Sequence, residues 1–129
     1  MYDEECVGKA CADLRMRDRE VFRVLHIDVR GRLISYEDVS VGTLSASLVH
    51  PREVFKGAIM ASADRIILVH NHPSDGVAPS PEDLRVTEML CDVGRMLHIP
   101  VDDHVIVGPT KTISLRVRDD TPFLGIKKP

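Results

Sequence analysis

The sequence has no long apolar run, no secretory leader, few cysteines and no strong net charge of either sign. Nothing in it approaches the ~20 consecutive apolar residues that a membrane-spanning helix requires. The N-terminal stretch, MYDEECVGKACADLRMRDRE, contains no apolar segment like that of a signal peptide. We therefore expect a cytoplasmic protein that has no membrane partner.

The cysteines are too few and too irregularly spaced to predict a disulfide framework. There are three, Cys6, Cys11 and Cys91, and an odd count without framework spacing agrees with a reducing compartment. Cys6 and Cys11 lack the second cysteine pair that a cysteine-ligated zinc site requires. The sequence therefore predicts free thiols rather than a disulfide or a cysteine metal site.

The charge of the chain gives little support to a nucleic-acid partner. The formal net charge is −3, so the chain as a whole does not attract polyanions. A local excess of arginine occupies the first quarter of the chain: Arg15, Arg17, Arg19, Arg23, Arg30 and Arg32. Acidic residues are interleaved with these arginines, which favours a solvated, salt-bridged face over a phosphate-binding patch. The charge therefore does not support a nucleic-acid partner, although such a partner remains an open alternative.

Hydrophobic patterning predicts one α/β domain over residues 1–129. The length and the 43% hydrophobic content suit a single buried core. The patterns predict, in chain order, a helix over 4–17, strands over 21–27 and from 33, a helix from 51, a strand over 65–70, a helix over 81–98, and strands over 101–108 and 112–117. The order α-β-β-α-β-α-β-β predicts a mixed sheet covered on its faces. The tail, 118–129, has no clear pattern.

The stretch with the clearest chemical content is His70-Asn71-His72-Pro73, at the end of the predicted strand 65–70. Side chains two residues apart on an extended chain point to the same face, so His70 and His72 can converge on one ion. Imidazole nitrogen suits zinc, and a catalytic zinc takes three protein ligands and a water. Alone, the pair is equally compatible with two polar loop residues or one core histidine.

Asp83 is the candidate third ligand, in the first turn of the predicted helix 81–98. The loop that follows His72 is long enough to bring the start of this helix back over the two histidines. The sequence SPED at 80–83 is also an ordinary helix start, with serine as N-cap and an acid three residues later. Spacing alone therefore leaves ligation and capping as equal alternatives for Asp83.

Four segments together resemble the RadC-type branch of the JAMM (MPN-plus) metalloproteins. They are VHPREVFK at 49–56, HNHPS at 70–74, PSPED at 79–83 and DHVIVG at 103–108. The resemblance covers about 19–115, nearly the whole predicted domain. The combined pattern H-x-H, seven residues, S-x-x-D is specific, whereas any one piece of it would be weak.

The resemblance implies both a fold and a metal site. The fold is cytidine-deaminase-like, with three layers, α/β/α, around a mixed sheet. The site holds one Zn²⁺ per chain through His70, His72 and Asp83, with a water in the fourth position. An acid at the entry to the first strand completes the site, and Glu20 stands there; Glu37 and Glu53 are rivals by composition only.

The implied chemistry is metal-assisted hydrolysis. Water bound to zinc has a pKa of about 7, and Glu20 would take its proton and hand it to a leaving amine. Ser80 could donate a hydrogen bond to the oxyanion. We therefore expect a zinc metallopeptidase that acts on a peptide or isopeptide bond in a protein substrate. The alternative is a DNA-repair-associated module that binds nucleic acid or protein and whose zinc is structural or vestigial.

A third function, nucleobase deamination, is rejected on the sequence. Zinc deaminases require an H-x-E motif and a later P-C-x-x-C, and this chain has neither. Full-length RadC-like proteins resemble two-part chains with an N-terminal helical segment of DNA-repair type. That segment is not found in this sequence, so we expect either a fragment or a short form.

Three residues near the motif have open roles. His104 either lies near the pocket or is a strand histidine bonded to a backbone carbonyl. Asn71 points away from the two histidines and is expected to hold the loop by side-chain hydrogen bonds. Asp75 departs from the HNHPSG sequence that is usual in this branch. As an extra carboxylate at the pocket rim, Asp75 could alter substrate choice.

Overall fold

A computed structural model describes residues 3–116 of the chain. The elements in this part of the chain are α1 Glu4–Ala10, a 3₁₀ helix Ala12–Met16, β1 Val21–Ile27, β2 Leu33–Val41, α2 Pro51–Met60, β3 Arg65–Asn71, α3 Pro81–Leu97, β4 Val101–Val107 and β5 Thr112–Ser114. The predicted order is confirmed. The predicted tail, 118–129, lies outside the described residues.

The first predicted helix, 4–17, is divided into two shorter pieces. The α-helix ends at Ala10, Cys11 leaves the helical region at φ −110° and ψ 25°, and a 3₁₀ helix follows. Cys11 and Leu14 are nevertheless buried in the same cluster. The tighter 3₁₀ turn returns Leu14 to the face of the sheet that α1 already covers.

The five strands form one mixed sheet in the order β2-β1-β3-β4-β5. β1 is antiparallel to both β2 and β3, β3 and β4 are parallel, and β4 and β5 are antiparallel. The parallel pair requires a crossover connection, which α3 provides. β1 and β3 therefore lie side by side inside the sheet, and the entry of β1 adjoins the exit of β3.

Helices cover both faces of this sheet. α2 and α3 pack on the face that presents Phe22, Val24 and Leu68, whereas α1 and the 3₁₀ helix pack on the opposite face. The two faces alternate along each strand because successive side chains of a strand point to opposite sides. The prediction of an α/β fold with a mixed, covered sheet is confirmed. None of the helices within residues 3–116 is both long and apolar enough to cross a membrane.

The buried face of α3 differs from the one that the apolar pattern predicts. Leu90 and Leu97 would share one side of the helix by their apolar spacing, yet Leu97 is 44% exposed. The residues buried on α3 are Asp83, Val86, Thr87, Leu90, Cys91 and Gly94. A Cβ at Gly94 would lie only 2.6 Å from the carbonyl oxygen of Ile99, so a side chain there would clash with the turn that follows α3. Two of the buried residues of α3, Asp83 and Thr87, are polar.

Candidate metal centre

Hydrogen bonds hold the backbone on both sides of Glu20 and so place its side chain at the site. Asn71, at the end of β3, accepts a hydrogen bond from the backbone N–H of Val21 at 2.6 Å and donates one to the carbonyl of Arg19 at 2.9 Å. The carbonyl of Glu20 accepts from the N–H of Gly42 at 2.7 Å. Asn71 thus holds a loop by its side chain, as expected, and that loop carries Glu20.

His70 and His72 converge where β3 ends, with ring centroids 4.9 Å apart. His70 is buried on the α3 side of the sheet, while the backbone N–H of His72 donates to the carbonyl of Val107 at 2.9 Å. Nδ1 of His72 lies 2.7 Å from the carbonyl oxygen of Gly76. Because a carbonyl only accepts, Nδ1 is the donor there, and Nε2 is the nitrogen directed into the site.

Asp83 contacts both histidines and also caps its own helix. Its Oδ2 accepts from the N–H of Ser80 at 2.8 Å and lies 3.1 Å from Nε2 of His72. Its Oδ1 lies 3.4 Å from Nδ1 of His70. Ser80 Oγ in turn accepts from the N–H of Asp83 at 3.0 Å, which completes a capping box. Capping and contact with the histidines therefore coexist in one carboxylate.

Glu20 completes the cluster from the opposite side of His70. Its Oε1 lies 2.6 Å from Nε2 of His70, and the donor atoms of Glu20, His70 and His72 all lie within 4.8 Å of one another. Nδ1 of His70 is buried without a hydrogen-bond partner among the described residues. A buried imidazole nitrogen beside a carboxylate and a second imidazole is an environment that a bound cation satisfies.

The hydrogen bonds of the cluster keep one buried carboxylate ionised. Burial lowers the pKa of His70, whereas the hydrogen bond to Asp83 raises the pKa of His72. Burial on its own would raise the pKa of Asp83, but hydrogen bonds from His72 and from the N–H of Ser80 outweigh it and lower that pKa to about 2. Asp83 is therefore a carboxylate that keeps its charge in a buried position, where a charge must be paired.

The cluster opens onto a cleft of about 420 Å³. Its lining residues are Glu20, Thr43, Leu44, His72, Pro73, Ser74, Ser80, Glu82 and Asp83. A larger cavity, about 800 Å³, lies between α1 and β5 and contains none of the predicted site residues. The smaller cleft is the one in which a substrate would meet both Glu20 and Ser80.

The rival acids lie elsewhere. Glu37 is exposed on the outer strand β2 and points toward Gly57 of α2, and Glu53 is exposed in the first turn of α2. Neither belongs to the cluster of donor atoms around His70. Of the three acids weighed from the sequence, Glu20 is the one that the fold brings to the histidines.

Asp75 is engaged in holding the loop that carries His72. Its Oδ1 accepts from the N–H groups of Thr110 and Lys111, at 3.0 and 3.2 Å, and its Oδ2 accepts from the hydroxyl of Thr110. Asp75 thus ties the loop between β3 and α3 to the turn between β4 and β5. This geometry assigns Asp75 to the loop and not to the lining of the cleft.

His104 lies close to His70 without lining the cleft, and its hydrogen bond is to a side chain rather than to a backbone carbonyl. It is fully buried, its Nδ1 lies 2.5 Å from Thr87 Oγ1, and its ring centroid lies 6.4 Å from that of His70. Burial lowers the pKa of His104 to about 3. Sequence reasoning missed Thr87, although a polar residue one turn after Asp83 was a signal for it.

The arginines of the first quarter of the chain differ in their burial and in their contacts. Arg23 is buried between Asp13 and Asp38, and Arg15 donates to the carbonyls of Gly108 and Lys111. The others are exposed: Arg17, Arg19, Arg30 and Arg32. The salt-bridged interpretation therefore holds for Arg23 as a buried cluster and for Arg32 as an exposed pair with Asp28 at 3.4 Å.

Comparison with known proteins places the chain among relatives of similar sequence. A family model described as RadC-like JAB domain matches residues 2–120. A UPF0758 protein of Syntrophomonas wolfei is 49% identical over 109 residues, which are 84% of this chain and 46% of that protein. Similar UPF0758 proteins occur in Desulforudis audaxviator, at 47% identity over 88% of this chain and 50% of the relative, and in Methanosarcina mazei, at 46% over 80% and 45%. The chain spans about half the length of these curated relatives.

Proposed function

Because the chain belongs to the RadC-like JAB domain family, we propose that it is a zinc-dependent hydrolase that cleaves a peptide or isopeptide bond. The observation that carries the proposal is the convergence of four side chains, Glu20, His70, His72 and Asp83, all but His70 lining one cleft. Family membership supports hydrolysis as the reaction class, and the choice of an amide bond belongs to the proposal.

The donor set suits a zinc ion. Two imidazoles and a carboxylate are a common ligand set of catalytic zinc, and the buried Nδ1 of His70, which has no hydrogen-bond partner among the described residues and lies 3.4 Å from Asp83 Oδ1, supports a cation there. We assign His70, His72 and Asp83 as the ligands. Bound there, zinc would supply a water that is acidic near neutral pH and a Lewis acid for the substrate carbonyl.

Glu20 is assigned as the general base because of its position and exposure. Both Glu20 and Asp83 line the cleft, but Glu20 is 29% exposed whereas Asp83 is only 2% exposed. A base must reach both the attacking water and the leaving amine, so it must face the substrate. The hydrogen bonds that hold the backbone around Glu20 keep its carboxylate beside His70 while it transfers a proton from the water to the leaving amine.

Ser80 is assigned as the donor to the oxyanion. Its Oγ accepts from the N–H of Asp83, and accepting leaves the hydroxyl hydrogen for another partner. Ser80 lines the cleft together with Glu20. A hydrogen bond from Ser80 would therefore meet negative charge that develops on the carbonyl oxygen of a bound substrate.

The test separates the two carboxylates. We expect about one zinc per chain in the parent and in Glu20→Gln, but little zinc in Asp83→Ala, by elemental analysis of the purified proteins. With a panel of fluorogenic peptides and an isopeptide-linked probe, Glu20→Gln should turn over about 10²- to 10⁴-fold more slowly than the zinc-loaded parent.

The matched control is Glu82→Gln. Glu82 lies next to Asp83 in the first turn of α3 and lines the cleft, but it is not part of the donor-atom cluster around His70. This variant should keep its zinc. Loss of zinc in Glu20→Gln but not in Asp83→Ala would exchange the two assignments. A zinc-loaded parent that cleaves none of the probes would remove the peptidase proposal while leaving the metal site.

A further inference from the structure

Two buried polar side chains lie behind the metal-site cluster and have no role in the proposed reaction. Thr87 and His104 are both completely buried. Thr87 is on α3, one turn after Asp83, and His104 is on β4, paired with Leu68 of β3. Burying a hydroxyl and an imidazole costs free energy unless they are hydrogen-bonded. Thr87 Oγ1 and His104 Nδ1 bond each other, whereas His104 Nε2 has no partner among the described residues.

The direction of these hydrogen bonds follows from the chemistry of the atoms. Thr87 Oγ1 lies 2.7 Å from the carbonyl oxygen of Asp83, which can only accept, so the hydroxyl hydrogen points to Asp83. The same Oγ1 lies 2.5 Å from Nδ1 of His104. Since the hydroxyl has one hydrogen, Nδ1 must be the donor in this second bond. The bonds therefore run in one direction, from His104 through Thr87 to Asp83.

These hydrogen bonds connect β4 to α3, and Asp83 of α3 in turn contacts the histidines at the end of β3. The ring of His104 also lies 6.4 Å from that of His70 and packs against the edge of Phe22. Movement of the first turns of α3, which carry Asp83, away from β4 would break the bond between His104 and Thr87.

We propose that His104 and Thr87 are positioning residues that hold Asp83 against His70 and His72 and so set the affinity of the site for zinc. The inference rests on the proposed metal site. Groups that orient metal ligands commonly change metal affinity when they are removed. A threonine that bonds the carbonyl four residues earlier also occurs in ordinary helices, but a purely structural role would change stability and leave zinc affinity alone.

The test measures zinc affinity on metal-stripped protein by competition with a chromophoric chelator. Thr87→Val, which removes the hydroxyl, should bind zinc about 10- to 100-fold more weakly, and Thr87→Ser, which keeps it, should bind like the parent. His104→Asn can still donate from a position near that of Nδ1 and should bind better than His104→Leu. Thermal unfolding of each metal-free variant records its stability separately.

Val54→Ala is the control for general destabilisation, since Val54 is buried in α2 away from the site. It should lower stability and leave zinc affinity unchanged. Equal zinc affinity in the parent and Thr87→Val would overturn the inference but not the proposed function, because the parent would still bind zinc. Equal weakening in Val54→Ala and Thr87→Val would also overturn it. A parent that binds no zinc would instead contradict the proposed metal site itself, on which this inference rests.

Discussion

At the scale of single residues, Arg23 is a buried charge on the interior strand β1, and carboxylates from two different parts of the chain enclose it. Its guanidinium donates to both oxygens of Asp38, at 2.6 and 3.1 Å, and to both oxygens of Asp13, at 2.8 and 2.9 Å. The ring of Tyr36 lies 4.3 Å from the guanidinium carbon. Bidentate pairing on two sides suits the planar fork of arginine and would not be reproduced by lysine.

Removing both partners of Arg23 should be costly because the charge would stay buried. We expect the double variant Asp13→Asn, Asp38→Asn to lose about 3–5 kcal/mol in the free energy of unfolding at pH 7, measured by urea denaturation. The control, Asp92→Asn, breaks an exposed pair with Arg95 and should cost less than about 1 kcal/mol. Equal costs in the two variants would show that Arg23 does not need its partners.

The ion pair between Arg23 and Asp13 also predicts how the loss of stability in the double variant changes with pH. The hydrogen bond from Arg23 lowers the pKa of Asp13 below its ordinary 3.8. Its contribution to stability is therefore complete above that ordinary value and is lost as the pH falls through the lower pKa of the folded state. The difference between the parent and the double variant should shrink in acid, and a difference that grew there would contradict the prediction.

At the scale of elements, the start of α3 combines a helix cap with the proposed site. The capping box formed by Ser80 and Asp83 fixes the first turn, and the same carboxylate contacts His70 and His72. Sequence spacing could not choose between capping and ligation for Asp83, because both use one carboxylate at one position. The structure shows capping and contact with both histidines in the same carboxylate, and ligation of zinc by Asp83 stays a prediction.

Ser80 can be tested for its two roles separately. Ser80→Ala should cost about 1 kcal/mol in stability because the cap is lost, whereas Ser80→Gly should cost only a few tenths because glycine is a good N-cap. If the hydroxyl serves the oxyanion, both variants should lose about 10²- to 10³-fold in turnover. Thermal unfolding and peptidase assays of the zinc-loaded proteins provide the two measurements. Full turnover in Ser80→Gly would limit Ser80 to capping.

The elements that sequence reasoning predicted well are those whose signals are local. His70 and His72 share a face because they are two residues apart, and the apolar β3 and the SPED helix start are short continuous patterns. Thr87 and His104 were not recognised together because they are 17 residues apart and meet only through the packing of α3 on β4. Asn71 was expected to hold a loop, but its partner lies 50 residues earlier.

At the scale of the whole molecule, the arrangement of charge bears on the alternative function as a nucleic-acid-binding module. The net charge is −3, and two of the clustered arginines are used inside the fold: Arg23 in its buried cluster and Arg15 in bonds to the turn before β5. A phosphate backbone would therefore meet a smaller positive surface than the sequence cluster suggests.

We accordingly expect this chain to bind duplex DNA no more tightly than non-specific binders do, with a Kd of about 10⁻⁴ to 10⁻⁶ M at physiological salt. Fluorescence anisotropy of a labelled duplex across a salt series would measure it. Arg17→Gln with Arg19→Gln is the informative variant, since both side chains are exposed. Arg15 must be left intact because its loss would detach the 3₁₀ helix from β5. A nanomolar Kd that falls steeply with salt and is lost in this variant would instead make DNA binding the function of the domain, because counterion release by those arginines would then supply the affinity.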